Sequence, residues 1–166
     1  MALKDAILPE FDHEMGTTRR VLERVPDAEF AWKPHEKSFN LGQLAGHVAN
    51  IPHWVDAIVK NTVFDLADAE DSRPRIPEST TWLLSQFEKN VGAARAGIAG
   101  LTDPEFLAPW TFKNNGQVVF TSPKKENISS SINHMVHHRG QLTVYLRLNN
   151  LPVPSIYGPS ADDRAF

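Results

Sequence analysis

Four long segments of this 166-residue chain repeat apolar residues every three or four positions, and that period constrains the fold more than any other feature. A stripe at 3.6-residue spacing is buried by packing one helix against others. The first segment runs from Leu3 to Arg24, with Leu3, Ile7, Phe11, Thr18, Val21, Leu22 and Val25 on one side and Pro26-Asp27 to stop it. The second runs from Leu41 to Thr62 behind a capping Asn40 and carries Leu44, Val48, Ile51, Val55 and Ile58. Pro52 lies inside it and frees the Val48 carbonyl, so a kink is expected near His47. The third starts at Ser79 or Thr80 and reaches Gly100, with Trp82, Leu83, Phe87, Val91, Ala94 and Ile98 on its apolar side. The fourth runs from Lys124 to Asn149, ahead of Pro152 and Pro154.

The connections are informative too. Phe30, Trp32, Pro34 and Phe39 make the first loop a packed one. Val63–Glu78 is acidic and then bracketed by Pro74 and Pro77, which suits a long surface crossover. Trp110-Thr111-Phe112 and Val118-Val119-Phe120 flank Asn114-Asn115-Gly116, the pattern of a short hairpin. The expected fold is all-α, a four-helix bundle in a single domain over residues 1–166. A long crossover would join the second and third helices, and a small hairpin would precede the fourth.

Composition removes several classes of function. The formal net charge of −3 leaves no basic excess for a phosphate backbone, so no nucleic-acid partner is expected, and Arg19-Arg20 and Lys124-Lys125 read as solvated pairs. The chain has no cysteine, which excludes disulfides, thiolate metal ligands and a cysteine nucleophile. No apolar run approaches the roughly 20 residues that span a bilayer, and the first ten residues do not read as a signal peptide. A cytoplasmic protein with no membrane partner is the expectation.

Seven histidines are many for this length. On a helix, residues four apart share one face, so His134 and His138 can converge on one ion. The spacing is that of an HExxH helix, but residue 135 is Met and the general base of that motif is missing. With Ile128 as the origin of a helical wheel, Ile132, Met135, Leu142 and Leu146 form the core stripe. His138 and His134 then lie about 80° and 120° to one side of it, and His137 about 180° away. With Leu44 as the origin of the second helix, His47 lies about 60° off the stripe and His53 about 180° off. His47 is therefore the histidine of its helix placed to meet His134 and His138. Each taken singly also fits an ordinary half-exposed histidine, and it is the convergence of three that points to metal. Three neutral imidazoles suit Zn, Ni, Cu or Fe(II), and three protein ligands leave coordination positions open.

Arg139 falls within the core stripe of the fourth helix, where it pairs with a buried acid or meets another subunit. Glu14 falls among apolar residues of the first helix. It is read as a partner of a ligand histidine, a base, a partner of Arg139, or a solvated edge residue. Asn50, Gln141 and Tyr145 lie toward the ligand side of their helices and are candidates for contact with substrate or water. Glu14 and Tyr145 are the weak catalytic candidates. Trp54 and Trp82 either wall a pocket or pack the core.

The segment Ile132-Asn133-His134-Met135-Val136-His137-His138-Arg139-Gly140-Gln141-Leu142, the segment Leu41-Gly42-Gln43-Leu44-Ala45-Gly46-His47, and Trp32-Lys33-Pro34 with Ser38 together resemble the DinB/YfiT-like superfamily. The likeness extends to the tail from Pro152 to Asp162. The resemblance implies up-down-down-up topology, a divalent metal on His47, His134 and His138, and a homodimer. The ion expected is Zn or Ni, then Fe or Mn. It also implies a metal-dependent transferase that uses an external low-molecular-weight thiol, or a hydrolase, acting on a small-molecule substrate. In either case the ion would lower the pKa of the thiol or of water at neutral pH. The competing expectation is a metal-binding or ligand-sensing module without turnover.

Overall fold

Local capping chemistry sets where the helical stripes begin. In the computed structural model, which describes residues 2–68 and 75–164, the first helix, α1, spans Leu3–Leu22. The second, α2, spans Leu41–Lys60 and opens on a reciprocal pair: Gln43 N donates to Asn40 Oδ1 at 2.7 Å, and Asn40 N donates to Gln43 Oε1 at 3.1 Å. It stops short of Thr62 because Asn61 turns to extended backbone (φ −116°, ψ 165°). The third, α3, spans Thr80–Gly100 with Ser79 Oγ accepting from Trp82 N. A short helix, α4, covers Asp103–Leu107, and α5 runs over Lys124–Leu148. Helix α2 passes through Pro52 without interruption. The proline loosens the carbonyls one turn before it, and Asn90 Nδ2 of α3 donates to one of them, Ala49 O, at 3.1 Å.

The expected stripes are the core. Leu44, Val48, Ile51 and Val55 of α2 and Ile128, Ile132, Met135, Leu142 and Leu146 of α5 are all buried, with Leu83, Phe87 and Ile98 of α3 and Phe11 and Leu22 of α1. Burial of each such side chain contributes about 1.5–3 kcal/mol. Trp82 is the exception and stands 41% exposed. Helices α2 and α3 run parallel: a Cβ on Gly46 would lie 2.7 Å from the Arg75 carbonyl just before α3, while Gly97 near the far end of α3 meets Val59. Helix α1 is antiparallel to α3, as the Arg95–Asp12 and Arg19–Glu88 ion pairs show. Helix α5 is antiparallel to α2, with Lys124 donating to Val59 O and Tyr145 to Phe39 O at opposite ends.

The expectation of an all-α four-helix bundle is overturned. Besides the fifth helix there is a three-stranded mixed sheet in the order β1-β2-β3, where β1 is Val63–Asp65, β2 is Pro109–Asn114 and β3 is Gln117–Pro123. Strands β2 and β3 are the expected hairpin, turning at Asn115 (φ 51°) and Gly116 (φ 78°), the two positive-φ positions of a type I′ turn. The unexpected strand comes from the crossover. Val63, Phe64 and Asp65 pair in parallel with Thr111, Phe112 and Lys113. Thr111 N donates to Thr62 O at 2.9 Å, and Gly116 N donates to Asp65 Oδ2 at 2.6 Å. The crossover is thus an ordered edge of the sheet where it leaves α2, and residues 69–74, including Arg73 and Pro74, lie outside the described part. Lys124 is a second correction. It is buried, not solvated, and its ammonium donates to Val59 O at 2.6 Å near the carbonyl end of α2. Burial pushes its pKa down, and Glu105 opposes that.

Candidate metal centre

The antiparallel packing of α2 on α5 brings His47 level with two successive turns of α5 that carry His134 and His138. The three imidazoles face one another, with ring centroids 4.6–5.1 Å apart. His138 Nε2 lies 2.8 Å from His134 Nε2, and His47 Nε2 lies 3.4 Å from it. One ligand atom from each of the three falls within 4.8 Å of the others. Among the described residues this is the one such cluster of three or more histidines and acids.

The protonation pattern follows from the neighbours. Gln141 Oε1 can only accept, so His138 Nδ1 donates to it across 2.7 Å, and His138 Nε2 is left with its lone pair toward the centre. Burial, followed by the two neighbouring imidazoles, lowers the His47 pKa from 6.5 to about 4. Burial also lowers that of His134, with His138 and His137 adding to it. Neutral rings turned nitrogen-first toward one point crowd their lone pairs, and a cation at that point relieves the crowding. Bonds of about 2.0–2.1 Å in tetrahedral array require ligand nitrogens about 3.3 Å apart, close to the His47–His134 separation. The donor set therefore suits a divalent first-row transition metal, since Zn, Ni, Cu and Fe all take imidazole.

The other histidines stay out of the group. His137 is exposed, with its Nε2 3.1 Å from Gln141 Nε2, and His53 is exposed on the far side of α2. His13 stacks on Tyr157, and His35 accepts from Lys37 N in the first loop. Gln141 thus bridges His138 and His137 and holds the ligand ring from behind. Tyr145 sits at the edge of the site, where its hydroxyl donates to Phe39 O at 3.3 Å and Trp32 packs edge-on to its ring. The first loop walls that end, with Phe39 6.3 Å from the His47 ring. Asn50 is exposed.

Glu14 belongs to a different constellation. Its Oε2 pairs with Arg139 Nη1 at 2.7 Å, and Tyr157 from the tail bonds both carboxylate oxygens at 2.9 and 3.0 Å. Arg139 Nη2 donates to the same tyrosine hydroxyl at 2.7 Å, and Nη1 also reaches Thr18 Oγ1. Arg139 is 1% exposed. Of the two expectations for it, the buried acid is the one observed. Burial, then Glu14, raises the Tyr157 pKa and keeps its proton in the network.

Beside the histidines lies a cavity of about 240 Å³ that has His47 and His134 among its lining. Trp54 is one wall, and the sheet supplies others that the sequence reading did not single out, notably Trp110, Phe112 and Phe120. One signal for the polar wall was present. Asn127, Ser131, His134 and His138 recur at helical spacing beside the core stripe of α5, so the ligand face continues toward its N-terminus.

The chain belongs to the DinB family, whose pattern it matches over residues 2–165. It is 25% identical over 165 residues to the uncharacterized protein YrdA of Bacillus subtilis strain 168, covering 97% of this chain and 92% of that one. Its fold is similar to the crystal structure of a DinB-like protein from Bacillus cereus ATCC 10987, with a TM-score of 0.72 at 20% identity over 94% of this chain and 98% of the other. It is also similar to the DinB-like protein YjoA of Bacillus subtilis, with a TM-score of 0.68 at 18% identity over 89% and 96% of the two chains. Among the described residues no helix is long and apolar enough to cross a membrane.

Proposed function

We propose that His47, His134 and His138 hold one divalent metal ion and that the protein is a metal-dependent enzyme acting on a small molecule. The convergence of three imidazole nitrogens at the mouth of a cavity is the observation that supports this reading. Three protein ligands leave coordination positions open, the arrangement of a catalytic site. When bound, the ion supplies Lewis acidity that makes water or a small external thiol a competent nucleophile near neutral pH. The chain's own residues hold the site in shape: Gln141 fixes the His138 tautomer, and Tyr145 anchors the loop whose Phe39 lies against the His47 ring. No carboxylate joins the cluster among the described residues, and a bound ion would supply the activation of the nucleophile. The reaction is then hydrolysis, or transfer in which a thiol sulfur attacks an electrophilic carbon, displaces its leaving group and gives up its proton to solvent. A homodimer forms part of the proposal.

Protein purified without chelators is expected to carry about one equivalent of divalent metal per chain, His138→Ala to lose it and His137→Ala to keep it. Retention of full metal by His138→Ala would overturn the site. Turnover is sought by incubating the loaded protein with several small thiols and a generic electrophile, against a chelated control. Sedimentation equilibrium reads the oligomeric state.

A further inference from the structure

The cavity beside the histidines has a composition that says what fits it. Ile51, Trp54 and Ile58 of α2 form one apolar wall, and Trp110, Phe112 and Phe120 of the hairpin form a second. Phe64, Phe112 and Phe120 are direct cross-strand partners on neighbouring strands, so the sheet presents stacked rings, and Trp54 packs against Phe64 at 5.1 Å between centroids. The third wall is polar and comes from α5, with Asn127, Ser130 and Ser131 leading up to His134. From Asn127 to His134 the helix rises about 10 Å, which sets the length of the slot.

Charge and size narrow the occupant. The lining holds no Asp, Glu, Lys or Arg, so the buried part of a ligand must be uncharged. At the inner end, Trp110 is opposite Ser122, whose hydroxyl accepts from Asn127 Nδ2 at 2.9 Å. Trp110 is 4% exposed, and its Nε1, which has no hydrogen-bond partner among the described residues, is itself closed off from the slot. For size, an apolar cavity of about 150 Å³ is enough to bind benzene. The slot, at about 240 Å³, has room for a larger ring system.

We propose that this slot binds an uncharged aromatic group of one to two rings, whose reacting end lies toward the three histidines. The proposal rests on the metal-enzyme reading only for that outer end. Isothermal titration with 2-naphthol tests it on the metal-loaded and the chelated protein. The expected result is 2-naphthol binding in both forms. Ser131→Trp, which fills the slot from α5, is expected to abolish binding while metal content and helical content stay as in the parent. No 2-naphthol binding by the folded parent, or undiminished binding by Ser131→Trp, overturns the slot. Retained 2-naphthol binding in a protein that takes up no metal sinks the metal reading alone and leaves the slot standing.

Discussion

At the scale of single residues, the site is a problem of protonation. His47 keeps its neutral form down to about pH 4, because burial and the neighbouring rings oppose its charging. An unfolded chain takes up that proton near the ordinary value of 6.5. Between those values the unfolded state binds more protons than the native one, so metal-free stability rises with pH in that window and is lost as pH falls from about 6.5 toward 4. Urea midpoints measured in chelator are expected to drop between pH 7.5 and pH 5, and to drop less in His47→Gln. An equal drop in both proteins would show that His47 does not carry the effect. The choice of His47, His134 and His138 over His53 and His137 was legible in the sequence, because angular position on a helix follows from residue number alone. The tautomer was not legible, since it depends on Gln141 taking a rotamer that reaches back to His138.

At the scale of elements, α5 carries two kinds of polar residue for two different reasons. Its shoulder bears two of the clustered histidines, while Arg139 interrupts the apolar stripe itself and is neutralised by Glu14 of α1 and Tyr157 of the tail. The sequence marked Arg139 as an anomaly and Glu14 as one possible partner, but Tyr157 had no periodicity to place it. Removing one member leaves the other charge buried without compensation. Arg139→Met is therefore expected to cost about 3–5 kcal/mol in chemical denaturation. The double variant Glu14→Leu/Arg139→Met is expected to recover most of that loss, and additive losses would argue against a coupled pair. Strand β1 marks the limit of sequence reading at this scale. Three residues are too few to display an alternation, and what makes them a strand is a partner far along the chain.

At the scale of the whole molecule, the helical stripes predicted the core, but the sheet that closes one side of it was only half foreseen. The hairpin announced itself through Asn115-Gly116, whereas its parallel neighbour came from a stretch read as surface crossover. The consequence reaches the candidate site, because the aromatic side of the cavity is built on that sheet. The aromatic wall that the hairpin supplies went unmarked in the sequence for the same reason, whereas Trp54 of α2 was marked as a possible wall.

The parallel pairing of β1 with β2 also orders events in time. Val63 and Thr111 can meet only after α3 has been laid down between them, so loop-closure entropy delays their contact relative to the local turns of the helices. What closes last with few contacts also opens most easily. Backbone amides at the β1–β2 seam, such as Thr111, are expected to exchange with solvent faster than those of Val48 or Leu142 in the buried helices, and equal protection would contradict this. Such a seam would let the aromatic roof lift while the histidines stay fixed on α2 and α5, admitting a flat guest through a door in the sheet without disturbing the cluster.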